Sequence, residues 1–241
     1  MISLLQNIPL RNILFLDIET VPAEKSFQNL NEKMQKLWSK KADNLQKNGN
    51  DQPLTAEEIY QRAGIYAEFG KIICISTGFF GQDSFRVKSF YGDNETELLQ
   101  NFADLLNKYF NQPFHILCAH NGKEFDFPYI SRRMIINRIP LPAILDTAGK
   151  KPWEVNHLDT MELWKFGDYK SYTSLELLSA ILNIPTPKDD IDGSQVADVY
   201  YNQNDLERIA VYCQKDTITV ARLLLKYRGN QLINDEDIIY V

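Results

Sequence analysis

Cysteine is scarce: only Cys74, Cys118 and Cys213 occur in 241 residues, far apart and with no Cys-x-x-Cys pair. An odd, scattered set excludes a disulfide framework, a zinc ribbon and a redox dithiol, and reads as small core residues in a reducing compartment. Histidine is equally sparse, with three residues, so no imidazole cluster offers a softer metal site. No apolar run approaches the length of a membrane span. The opening residues 1–9 lack the charged head, apolar centre and small-residue cleavage site of a secretory signal, so the expected compartment is the cytoplasm, with no membrane partner. Positive charge is in deficit, 26 Lys and Arg against 32 Asp and Glu, for a net of −6. That deficit argues against tight non-specific duplex binding, which needs a basic surface. It leaves metal-dependent chemistry open, because acids must converge to hold divalent cations that then attract phosphate. Gly/Ser linkers, internal repeats and low-complexity tracts are also missing. The expectation is one domain over residues 1–241.

What is present is three acidic islands in order. Asp17 and Glu19 lie in the apolar, strand-like run from Asn12 to Thr20, and residues two apart on a strand point to the same side. Asp126 follows His120-Asn121-Gly122-Lys123-Glu124-Phe125. Asp216 comes four residues after Tyr212 in a helical run, which puts phenol and carboxylate on one helix face. Each island alone has an ordinary structural reading. Asp-x-Glu is common at a solvated strand end, Asn-Gly-x-x-Phe-Asp is a turn with a first-turn helix acid, and Tyr-x-x-x-Asp is a core tyrosine beside an exposed acid. Their conjunction, in order and in suitable settings, points to one metal site.

The coarse organisation begins with a strand at 12–19. A polar stretch at about 24–68 follows, with helical pieces at 30–38 and 55–64, and reads as an insertion. Two strands at 71–79 and 84–90 are joined by the turn Gly81-Gln82-Asp83. An amphipathic helix at 95–110 leads to a strand at 115–119 and a helix at 127–137. Leu145-Asp146 or His157-Leu158-Asp159 supplies the fifth strand. Helices at 175–182, 194–201 and 205–227 complete the chain, and the last dozen residues read as peripheral. Three antiparallel strands, then helix, strand and helix, are the order of an α/β, ribonuclease H-like fold: a mixed five-stranded sheet flanked by helices, with its acids at one end.

The segments Asp17-Ile18-Glu19-Thr20, His120 to Asp126 and Tyr212-Cys213-Gln214-Lys215-Asp216 resemble the three motifs of the DEDDy proofreading 3′–5′ exonucleases. The likeness is to the exonuclease domain of family B DNA polymerases, in the group that stands without a polymerase. It runs from about Ile13 to about Tyr227, and the segments 67–72 and 191–194 are also similar to that group. The resemblance implies two divalent cations, Mg²⁺ or Mn²⁺, and hydrolysis of the 3′-terminal phosphodiester of single-stranded or frayed DNA. It implies that Asp17 touches both ions, that Glu19 and Asp216 help hold the first, and that Asp126 acts mainly on the second. Tyr212 would then hold the attacking water, since a phenol is a poor base at neutral pH. Thr20, Asn121 and Phe125 are candidates for contact with nucleic acid: Thr20 at the terminal nucleotide, Asn121 in the turn, Phe125 as a wedge between bases. A histidine-using subfamily carries its base five residues before the last aspartate. That position here is Val211, which favours the tyrosine subtype over His120 or His157 as base. An RNA exonuclease, or a non-catalytic nucleic-acid-binding module on the same fold, are the alternatives; retention of all four acids and the tyrosine speaks against the second.

Overall fold

The run at 13–22 becomes the strand around which the molecule is arranged. The computed structural model describes residues 5–46, 54–168, 170–185 and 191–241. Strand β1 (Ile13–Pro22) is buried at most positions, because helices cover both of its faces. Its even residues Leu14, Leu16 and Ile18 enter one core with Leu98, Leu99, Phe102 and Ile130. Its odd residues Ile13 and Phe15 enter another with Ile218, Ala221 and Leu224. Strict alternation therefore carries Asp17 and Glu19 onto the second face.

Strand β2 (Gly70–Phe80) runs antiparallel to β1, pairing Asp17 with Ser76 and Glu19 with Cys74, and the register shifts between Glu19 and Thr20. Such a shift bends a strand at its end and re-aims the side chains there. A tight turn, with the Gly81 N–H donating to Ser84 O at 2.8 Å, leads into β3 (Phe85–Tyr91). Strand β4 (Ile116–Ala119) lies parallel to β1, and β5 (Leu158–Asp159) parallel to β4. The sheet has a sixth strand, β6 (Ile238–Tyr240), which runs parallel to Phe85–Val87 of β3, giving the order β5-β4-β1-β2-β3-β6. This corrects the expected count of five. Ile238-Ile239-Tyr240 combines β-branched and aromatic residues, and it satisfies part of an edge that would otherwise leave backbone groups open.

The longer helices among the described residues are α1 (Glu32–Gln46), which packs in the excursion after β1, and α2 (Glu95–Tyr109), α3 (Asp126–Ile136), α4 (Thr160–Lys165), α5 (Leu175–Ile181) and α6 (Leu206–Tyr227) around the sheet. Side-chain caps start several of them. Asn94 accepts from Glu97 N, Ser174 from Leu177 N and Asp205 from Arg208 N, which satisfies amides a helix start leaves unpaired. The segment expected as a helix at 194–201 is split into Val196–Asp198 and a π turn, Val199–Gln203.

The chain makes an excursion between Pro22 and Gly70, of which residues 47–53 lie outside those described. It has its own core, where the Trp38 ring meets Tyr60 and Phe69 edge-on at 5.7 and 5.2 Å and its indole N–H donates to Ala56 O at 2.7 Å. Losing that ring would cost roughly 3–5 kcal/mol. Asn31 precedes helix α1 and caps it, its side chain accepting from Met34 N, and the helix runs further than the expected 30–38. At Thr55 and Glu58 the reciprocal side-chain-to-backbone pair forms. Only turns and a 3-10 segment (Tyr60–Ile65) follow, in place of the expected helix at 55–64. Here Gly64 presses on β1, and a Cβ there would lie 3.0 Å from the Val21 carbonyl carbon. Among the described residues no helix is long and apolar enough to cross a membrane.

Candidate active site

The odd face of β1 ends in two carboxylates beneath α6. Helix α6 seats itself there through small residues: Cys213 and Thr217 are fully buried, and the Thr217 hydroxyl donates to Ser76 O at 3.2 Å. The Cys213 thiol donates to the Asp17 backbone oxygen at 3.3 Å and to Asp17 Oδ2 at 3.4 Å. Helical spacing places Tyr212 and Asp216 together, and their side chains are hydrogen-bonded. Burial, then the charges of Asp216, Glu19 and Asp17, push the Tyr212 phenol well above its ordinary pKa. Val211 is exposed on the same helix.

Asp126 opens α3 and is buried. The pairing of β1 with β4 stops at Phe15 and Cys118, and beyond it the Ile18 N–H donates to the Asp126 carboxylate. Burial chiefly pushes Asp126 up to about 8; its own N–H opposes that, the charge of Asp159 adds to it, and the Ile18 N–H opposes it. Asp17 is raised by burial, then by Glu19, Asp216 and Asp126. Glu19 is raised by burial, then by Asp216, Cys74 and Asp126. Four carboxylates thus share one field. Among the described residues no lysine or arginine pairs with Asp17, Glu19 or Asp126. Glu19, only 8% exposed, receives no hydrogen bond from them either.

Uncompensated buried carboxylates are costly unless a cation joins them. Carboxylate donors of Asp17 and Glu19 and the Cys213 sulfur lie within 4.8 Å of one another. The set is dominated by hard oxygens, which fits Mg²⁺ or Mn²⁺. The residues present therefore suit divalent cations.

The other expected site residues border this centre. Thr20 follows the register shift, and its hydroxyl bonds Tyr129, whose own hydroxyl donates to Gly64 O at 2.7 Å. Asn121 takes the left-handed conformation at φ 62°, and its carbonyl accepts from Phe125 N at 3.0 Å, so it makes the turn into α3. Phe125 is half-buried, with its ring 5.3 Å from Tyr129. Gly122 has no room for a side chain, since a Cβ would stand 2.4 Å from the Ala119 Cβ. His120 is held by Thr160 Oγ1 and Thr173 O, and His157 by Leu117 N and Ile144 O. Both imidazoles are therefore committed to structure.

Sequence reasoning missed Asp159. Its carboxylate accepts from Met161 N and Glu162 N as the cap of α4, and from Asn121 N and Lys123 N in the loop before Asp126. The cap is visible in Asp159-Thr160-Met161-Glu162. The second pair spans 36 to 38 residues and has no local signal. The thiol of Cys213 against Asp17 was missed as well, because a lone cysteine in a helix reads as core.

Residues 65–235 match a family described as a predicted 3′–5′ exonuclease related to the exonuclease domain of PolB. The match contains Asp126, Tyr212 and Asp216 and begins after β1, so Asp17 and Glu19 precede it. Among solved structures the chain is similar to the family B DNA polymerase from the hyperthermophilic archaeon Pyrobaculum calidifontis, with a TM-score of 0.51 and 16% identity over 90% of this chain and 25% of that one. The chain spans about a quarter of that polymerase, and the likeness is one of fold: a mixed sheet flanked by helices, of the ribonuclease H-like kind. No curated protein matches the chain.

Proposed function

The chain belongs to the family of predicted 3′–5′ exonucleases related to the exonuclease domain of PolB, and from that premise we propose that it removes nucleotides from the 3′ end of single-stranded or frayed DNA. The observation that carries this reading is the convergence of Asp17, Glu19, Asp126 and Asp216 with the Tyr212 phenol, in a field that no lysine or arginine pairing with Asp17, Glu19 or Asp126 offsets among the described residues. The family supports a nucleic-acid substrate, and Tyr212 standing one turn before Asp216 supports the DEDDy subclass.

Asp17, Glu19 and Asp216 would hold one divalent cation, and Asp17 with Asp126 a second. Bound Mg²⁺ or Mn²⁺ supplies a lowered pKa for water and neutralisation of charge on the phosphodiester. The chain's residues do the rest by position. The Ile18 N–H aims Asp126, the Cys213 thiol aims Asp17, and the register shift after Glu19 sets where the strand end turns. Tyr212, whose phenol is raised above an already high pKa, cannot act as base near neutral pH and orients the attacking water by a hydrogen bond. Thr20, Asn121 and Phe125 shape the rim where the terminal nucleotide lies, with Asp159 holding the turn. We read residues 1–241 as one exonuclease domain with an excursion at about 24–68, acting in the cytoplasm, where its three buried thiols stay reduced.

The test is a gel of end-labelled DNA and RNA oligonucleotides incubated with Mg²⁺ or Mn²⁺. Stepwise shortening of DNA from a free 3′ hydroxyl, lost when the end carries a phosphate, is expected. Cleavage of circular single-stranded DNA would contradict the exonuclease reading. Faster digestion of RNA would move the substrate to that polymer.

A further inference from the structure

Helix α1 buries Trp38 and Ala42 on one side. On the opposite side stand Lys33, Lys36 and Lys40, all exposed, around Leu37, which is 42% exposed. At 100° per residue the three ammonium groups fall within an arc of roughly 60°. Among the described residues none of them makes an ion pair. Lys41 lies off this stripe, with its ammonium 4.2 Å from the centre of the Tyr66 ring. Glu32 and Asp43 flank the stripe on one side. In a chain of net charge −6 this is a concentration of the opposite sign, and like charges three and four apart on a helix repel each other unless an anion lies across them. A shallow groove of about 430 Å³, lined by Phe27, Glu32, Gln35, Lys36, Ser39 and Lys40, runs beside it.

The helix is also joined, through the core of the excursion, to the end of β1. The excursion leaves β1 at Pro22, just beyond Glu19, and is fastened at that strand end. The Tyr129 hydroxyl donates to Gly64 O and bonds Thr20, and Ala23 N donates to Phe69 O at 2.8 Å. Trp38 then locks α1 onto Tyr60 and Phe69. A basic face is thus carried on a packed platform next to the strand that carries Asp17 and Glu19.

We infer that the Lys33–Lys36–Lys40 face of α1 binds the phosphate backbone of the substrate strand outside the catalytic centre. This rests on the exonuclease reading and adds a second contact to it. From Lys33 to Lys40 the helix rises about 10 Å, enough to meet three phosphates spaced a few ångströms apart along one strand. The ammonium groups read charge and not sequence, so the contact is indifferent to base identity.

The test is fluorescence anisotropy with single-stranded DNA of about 4 and about 16 nucleotides, in Ca²⁺, over a series of salt concentrations. Three proteins are compared: wild type, Lys33→Gln/Lys36→Gln/Lys40→Gln, and a charge-matched Lys108→Gln/Lys151→Gln/Lys226→Gln. Exposed lysine changes of this kind leave the melting temperature nearly unchanged. For the long strand the α1 variant should bind roughly tenfold more weakly at low salt. Its slope of log affinity against log salt should fall by about 2, three phosphates at about 0.7 each. Short-strand binding should match wild type. A long-strand slope equal to that of the charge-matched protein overturns the inference, and so does loss of binding to phosphatidylserine vesicles in place of DNA. Cleavage of the 4-nucleotide strand by wild type in Mn²⁺ is read in parallel. If it is absent the exonuclease reading fails, independently of the slopes.

Discussion

The fold buries carboxylates in two opposite ways. At the ends of β4 and β5, Asp159 accepts four backbone N–H groups. Beside α2, Glu95 accepts from Ile72 N at 2.7 Å and Arg133 Nε at 2.8 Å, and forms a second contact with the Arg133 guanidinium. These acids are saturated and bind the fold together. Under α6, Glu19 is as buried as Glu95, at 8% exposure each, yet no donor among the described residues reaches it. Burial alone therefore does not tell these two kinds of acid apart; the inventory of donors around each does.

The comparison breaks first at Asp17. In Asp17→Asn one charge leaves a repelling cluster, so the melting temperature should stay level or rise without metal, while kcat/KM on a single strand falls by roughly 10³-fold or more, about 4 kcal/mol. Calorimetry and a cleavage assay on one preparation check both, and a stable variant with wild-type cleavage would remove Asp17 from the centre. Glu95→Ala should do the reverse. It strands the Arg133 guanidinium with little solvent, at about 3–5 kcal/mol of stability by chemical denaturation, while cleavage per folded molecule holds.

Tyr212→Phe sharpens the distinction, since it keeps the ring and removes one hydroxyl near three carboxylates. Single-turnover rates should fall by roughly 10²-fold, about 3 kcal/mol, with little change in Mn²⁺ affinity. Equal rates would make the residue a core tyrosine. The smallest effect lies in His157. Burial chiefly lowers its pKa to about 4, and its Nδ1 faces the Leu117 N–H, where a second proton has no acceptor. The folded pKa lies below the unfolded value near 6.5, so its contribution is complete above about pH 6.5 and is lost as pH falls towards 4. Between pH 7 and pH 5 this amounts to about 2 kcal/mol. The difference in stability between wild type and His157→Gln, followed over that range, isolates it from the carboxylates. A difference independent of pH would show the imidazole charging freely in the fold.

Much of this organisation was legible before the fold. Alternation in β1 and the four-residue step in α6 are local periodicities, and each puts its pair of groups on one face whatever the rest of the chain does. The expectations that failed were those settled by distant partners. The 55–64 segment carries a helix-start pairing at Thr55 and Glu58, but contact between Gly64 and β1 decides its path. Residues 238–240 have strand character, yet only the open edge of β3 makes them a strand. The cap role of Asp159 is written beside it, whereas its grip on Asn121 and Lys123 depends on β4 and β5 lying parallel.

The seating of α6 on β1 also has a consequence in time. Asp17 and Glu19 leave the ribosome nearly 190 residues before the start of α6, an interval of roughly 10–40 s at ordinary rates of synthesis. Until that helix arrives, the nascent chain carries two acids with no roof over them and no Tyr212 or Asp216 to complete the set. The metal site proposed above is therefore incomplete on the nascent chain until α6 has been made.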